Sequence, residues 1–184
     1  MEIFDIVDEL GNPTGKTVDR TTAHNEGIRH RTAHIWIVRK TEDSYEFLLQ
    51  KRALNKESFP GCYDTSSAGH IHAGDEPLIS ALRELEEELS IKAKEEDLHF
   101  ADTFKIQYTK VFNDRPFSDN EISFVYIYNL PVNIESLTLQ KEELDSVKWF
   151  ELKELESKLN PRNPEFCVPI DGFNIAKNWC LENL

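Results

Sequence analysis

The chain has 184 residues, a length that suits one domain with a short terminal extension. Its 34 Asp and Glu outnumber 21 Lys and Arg, and the formal net charge of −13 argues against wrapping nucleic acid or binding an anionic membrane surface. A small anionic substrate stays open, because a local cluster of cations or a bound metal can receive it.

The opening segment MEIFDIVDELG is acidic and alternating, without the basic start and apolar stretch of a signal peptide. No run approaches the ~18 apolar residues of a membrane span, so the expected location is the cytoplasm. Cys62, Cys167 and Cys180 are too few and too scattered for a disulfide framework, and buried or partly buried thiols are expected. IFDIV followed by LGNPTG predicts a hairpin over 1–20, and residues 1–30 read as an N-terminal extension of a single domain spanning 1–184. RTAHIWIVR (31–39) and YEFLLQK (45–51) read as strands, and 54–68, with Pro60 and Gly61, as irregular.

A helix follows, with Asp75 as its expected cap and Pro77 in its first turn. Leu78, Ala81, Leu82, Leu85 and Leu89 form its apolar face. Residues 100–111 and 121–130 predict strands, VKWFEL a short strand entering a helix over 151–159, and the last fifteen residues a closing amphipathic helix. Trp149 and Phe150 read as structural. Strands and helices are mixed along the chain, so the class is α/β or α+β.

The chemistry concentrates in GHIHAGDEPLISALRELEEELSI, residues 69–91. Glu84, Glu87 and Glu88 stand at i, i+3 and i+4, so their carboxylates share one patch of the helix and repel one another. A hard divalent cation removes that repulsion. A solvated acidic helix face is the plain alternative. The preceding glycines, Gly69 and Gly74, favour the cation, since they let the backbone approach an ion or a phosphate, and the Gly69 carbonyl is a further oxygen ligand.

This segment resembles the Nudix box, a Gly, an acidic residue and an R-E-U-x-E-E core, where U is bulky and aliphatic. Gly69 matches the first Gly, and Arg83, Glu84, Leu85, Glu87 and Glu88 match the core, with Ile91 as the final aliphatic. Asp75 stands where the box has Glu, and Ser90 where it has Gly, which weakens the expected turn after the helix. The resemblance implies an α/β/α sandwich around a mixed sheet and a Mg²⁺-dependent hydrolase, with Mn²⁺ possible, that cleaves a phosphoanhydride bond with metal-activated water. It implies Glu87 and Glu88 as metal ligands with the Gly69 carbonyl, Glu84 as ligand or water-activating base, Arg83 orienting the carboxylates, and Glu121 as a second candidate base.

The match extends across most of residues 3–91 to a Nudix subgroup related to isopentenyl-diphosphate isomerase, which uses the fold for proton transfer and holds a metal with three histidines and two glutamates. His24, His30 and His70 fall at matching places, the first with a one-residue gap, and Asp119 and Glu121 fall where that subgroup has two glutamates. Ala68 stands where the isomerase needs a cysteine before its Gly-His pair, and a methyl group transfers no proton. The Arg83–Glu88 core is also intact here, whereas the isomerase box is usually degraded. Both differences favour hydrolysis, with isomerisation the alternative.

His30 and His70 are expected to contact metal or phosphate, whereas His34 reads as a core or surface histidine and His72 and His99 as solvated. A histidine cluster would suit a second, different metal. Lys51 and Arg52, at a strand end, are candidate phosphate cations. Tyr63, Phe117 and Tyr126 read as core or as a stacking wall. The expected partner is a small organic diphosphate, such as a nucleoside diphosphate. Which one, and the oligomeric state, have no signature in the sequence.

Overall fold

In a computed structural model, which describes residues 2–161 and 163–184, the chain forms two sheets and four α-helices. Alternation and turn residues build the first unit as expected: β1 (Ile3–Val7) pairs antiparallel with β2 (Pro13–Asp19). A short helix, α1 (Arg20–Glu26), follows at once. Asp19 caps it by accepting from Thr22 N at 3.0 Å, and Gly27 ends it at φ +66°.

The main sheet is built on β3 (His30–Lys40), which is buried from His30 to Val38. It pairs in parallel with β8 (Arg115–Tyr128) from His30–Glu121 to Ile37–Tyr128. Its other edge is shared. Ile37 to Lys40 pair with β4 (Tyr45–Arg52), whereas Thr32 to Ile35 pair with β6 (Ser67–His70). β4 also carries β5 (Tyr63–Asp64) and β9 (Leu144–Glu151), and β7 (His99–Phe112) closes the far edge against β8. The sheet thus forks between β4 and β6, and residues of both arms face one cavity.

Period-two alternation sorts the side chains of β3 to two faces. Ala33, Ile35 and Ile37 pack with Ala81, Leu85 and Leu89 of α2 (Pro77–Leu89). Trp36 and Val38 pack against α3 (Leu152–Leu159) and α4 (Ile170–Asn183) through Leu155, Phe173 and Ala176. The result is the expected α/β/α sandwich around a mixed sheet.

Several local expectations are corrected. The N-cap of α2 is Glu76, with no side-chain cap bond, rather than Asp75. Pro77 is in the first turn as expected. Residues 54–68 are not wholly irregular, since β5 and the start of β6 lie there. The two later strands are longer than expected and form one hairpin, turned at Asn113 and Asp114 with φ +49° and +60°. Cys167 and Cys180 are buried and Cys62 is half-buried. Among the described residues no helix is long and apolar enough to cross a membrane.

Candidate metal and phosphate site

Two clusters of candidate ligands, one of carboxylates and one mostly of histidines, contribute to the walls of one cavity of about 720 Å³ at the fork of the sheet. The first is on α2. Its three glutamates are not equivalent: Glu88 is buried, the Glu84 side chain is 13% exposed and that of Glu87 is 52% exposed. Glu88 accepts from the Ala68 amide and from Gln50, each at 3.3 Å. Burial pushes its carboxyl up to about 8. Burial also raises Glu84, although Arg83 opposes the shift.

Arg83 joins the cluster together. Its guanidinium lies 2.7 Å from Glu84 and 3.4 Å from Glu87, and it donates to the His70 carbonyl at 3.1 Å. Gly69 has a specific reason to be glycine: a Cβ there would overlap the Glu84 carboxylate. A buried and a half-buried carboxylate whose charged forms burial disfavours are what a divalent cation relieves, and the oxygen donors suit Mg²⁺.

The second cluster is the one that the resemblance to the isomerase subgroup implied, and the fold brings its residues together. One ligand atom from each of His24, His30, His70 and Glu121 lies within 4.8 Å of the other three. Nε2 of His30 and Nε2 of His70 are each 3.6 Å from the same Glu121 oxygen, Oε1. His24 Nε2 is 3.8 Å from Asp119 Oδ1.

Backbone carbonyls set the tautomers. His24 Nδ1 lies 2.9 Å from Arg20 O and His30 Nδ1 2.8 Å from Ile28 O. A carbonyl only accepts, so Nδ1 carries the hydrogen and Nε2 the lone pair. The Nε2 atoms of His30 and His70 and Oδ1 of Asp119 are buried without a hydrogen-bond partner among the described residues. Imidazoles oriented through a second bond, with lone pairs converging on a carboxylate, fit a borderline metal such as Mn²⁺ or Zn²⁺ better than Mg²⁺.

Electrostatics within the cluster are uneven. Burial raises both carboxyls, but the neighbouring histidines hold Glu121 below the usual carboxylate range, while the Glu121 charge pushes Asp119 further up. Burial likewise lowers His24 and His70. Phe4 is fully buried and stacks on His30 and His70 at 4.9 and 4.6 Å, so the N-terminal hairpin braces the cluster.

Other expected residues are placed unevenly. Arg52 lines the cavity but is engaged by Asp64 at 3.2 Å and by the Ser58 carbonyl at 2.9 Å. Lys51 lies outside the cavity lining, with its ammonium 5.7 Å from the Tyr63 ring. Phe117 lines the cavity and stacks on His24 at 4.5 Å, while Tyr63 and Tyr126 belong to packed aromatic clusters. His99 is exposed as expected, and its ring also stacks on Trp179 at 5.3 Å. Sequence reasoning missed Lys56 and Arg20, cations that line the same cavity. Neither belongs to a motif, and only the folded chain brings them there.

A model of the NUDIX domain matches residues 28–167. The chain belongs to the Nudix family. "Nudix hydrolase 3" of Arabidopsis thaliana is 41% identical over 191 residues, covering 99% of this chain but only 24% of that longer protein. An isopentenyl-diphosphate Delta-isomerase of Dinoroseobacter shibae is 29% identical and covers 84% of this chain and 81% of its own. Among solved structures, a Deinococcus radiodurans protein superposes with a TM-score of 0.65 at 15% identity, covering 88% of this chain and 90% of that one, and supports the fold. The chain is thus similar to proteins named Nudix hydrolases and, at lower identity, to ones named isopentenyl-diphosphate isomerases.

Proposed function

We propose that this chain hydrolyses the phosphoanhydride bond of a nucleoside diphosphate or related small organic diphosphate, with Mg²⁺ the expected ion and Mn²⁺ possible. The observation that carries the reading is the Glu84–Glu88 pair, buried beside Gly69 and facing a cavity that Arg20, Arg52 and Lys56 also line. When bound, a divalent ion supplies charge neutralisation for phosphate oxygens and lowers the pKa of water.

The chain's own groups divide the remaining work. Glu87, Glu88 and the Gly69 carbonyl are the proposed ligands. Arg83 orients Glu84 and Glu87, and Gln50 with the Ala68 amide orients Glu88. Glu84 takes the proton of the water that attacks phosphorus, with Glu121 the second candidate. The P–O bond to the bridging oxygen breaks, and the departing phosphate group takes that oxygen. Arg20, Arg52 and Lys56 balance its charge.

The intact cluster of His24, His30, His70 and Glu121 is the observation that favours a second reading, isomerisation of isopentenyl diphosphate. Ala68 opposes it. Cys167 lines the cavity, but burial raises its thiol far above the ordinary range, which leaves it a poor proton-transfer group.

The test is phosphate release with and without Mg²⁺ across nucleoside di- and triphosphates, nucleotide sugars, dinucleoside polyphosphates and isopentenyl diphosphate, with isomerised product assayed separately. Mg²⁺-dependent release that disappears in Glu87→Gln is the expected result. Isomerised product without any release would overturn it.

A further inference from the structure

His34 is not among the candidate metal ligands, yet it is a buried histidine in the centre of the sheet. It is 6% exposed, on the face of β3 that continues into Trp36 and Val38. On that face it is flanked by Trp36 on one side and by the polar Thr32 on the other, it pairs with Val125 and Ala68 across the sheet, and its ring meets Phe104 in a T-shaped contact at 5.4 Å. Leucine or phenylalanine would pack there without burying a polar atom.

His34 Nδ1 is buried with no hydrogen-bond partner among the described residues, an arrangement that costs stability. Across the ladder His34 pairs with Ala68, a small neighbour, and both residues line the cavity. With Nδ1 sealed, the part of the ring that faces the cavity carries Nε2. Burial keeps the ring below the ordinary imidazole range, against the pull of Glu121 and Asp64. A neutral ring has one N–H, and placing it on Nδ1 would bury an unpartnered donor. The proton therefore belongs on Nε2, where it points a donor at whatever fills the cavity.

We infer that His34 is a substrate-contacting residue, donating a hydrogen bond from Nε2 to an anionic oxygen of a diphosphate held between the glutamate and histidine clusters. This role rests on the diphosphate reading of the cavity. A polar group kept in a packed sheet at a cost in stability, and opening on the cavity, is what a binding role requires of it.

The experiment uses the full chain, Mg²⁺ and inorganic pyrophosphate as the probe, with calorimetric binding and thermal melting as readouts. His34→Phe removes the unpartnered nitrogen and keeps the edge contact with Phe104. It is expected to melt at or above the wild-type temperature yet bind pyrophosphate about tenfold or more weakly, since a hydrogen bond to a charged group is worth at least that. His34→Gln, which restores an N–H at similar reach, is expected to recover most of the binding. His34→Leu gives the same comparison if the phenylalanine is not accommodated. Binding by both apolar variants as tight as wild type overturns the role of His34 alone. A wild type that binds no pyrophosphate overturns the diphosphate reading and this inference with it.

Discussion

At the scale of single residues, small groups are set by what occupies the space beside them. Gly69 was expected to let the backbone approach an ion. The structure adds that the space a Cβ would take belongs to the Glu84 carboxylate. Gly69→Ala should displace Glu84 and lower turnover by about 10–100-fold, as happens when the groups that orient metal ligands are disturbed; steady-state rates at saturating Mg²⁺ check this, and an unchanged rate would mean Glu84 has no role. Ser90 stands where the box has glycine, and it takes the left-handed conformation at φ +57° all the same. Its hydroxyl donates to the Thr138 carbonyl at 3.0 Å, which offsets part of the strain. Ser90→Gly should raise stability by about 0.5–1 kcal/mol in chemical denaturation, with activity untouched.

At the scale of elements, helix α2 and the hairpin β7–β8 show what periodicity can and cannot reveal. Leu85 and Leu89 at helical spacing are fully buried as expected. The same helix also buries Glu88, which a hydrophobicity pattern marks as solvent-facing. Helix α3 begins on Glu151, whose Oε2 accepts from the amides of Lys153 at 2.9 Å and Glu154 at 3.2 Å. Ser44 donates to the other oxygen, and that bond, with the amides, holds the Glu151 carboxyl below its ordinary 4.5. A depressed folded pKa stabilises above the unfolded value, and the gain is lost as pH falls through the folded one. Glu151→Ala should therefore lower the melting temperature at pH 7, and the gap to wild type should narrow as pH drops below about 4. An equal gap at both pH values would show that the carboxylate charge is not what caps α3.

At the scale of the whole molecule, the fork of β3 between β4 and β6 gathers the histidine cluster from three strands and one helix. His24 comes from α1, His30 from β3, His70 from β6 and Glu121 from β8. The nitrogen-rich cluster and the oxygen-rich one differ in ligand softness, so they should differ in metal. His24→Ala should weaken Co²⁺ binding, followed by visible absorption, about 10–100-fold. Glu87→Gln should leave the Co²⁺ spectrum intact while abolishing Mg²⁺-dependent turnover. Loss of both properties in both variants would mean a single shared site.

The sequence by itself determined the family, the position of α2, the two-faced strands and the glutamate triad, because each is carried by local spacing that the period of a helix or strand converts directly into a shared face. Tertiary structure alone decided which glutamate is buried, that Lys51 turns to Tyr63 while Lys56 and Arg20 reach the cavity, and that His34 opens on it. Those outcomes depend on parallel pairing of β3 with β8, on the shared edge of β3 and on the docking of the N-terminal hairpin through Phe4. Contacts between residues as far apart as His30 and Glu121 leave no periodic trace in the chain, since their proximity is set by strand register and packing rather than by neighbours in sequence.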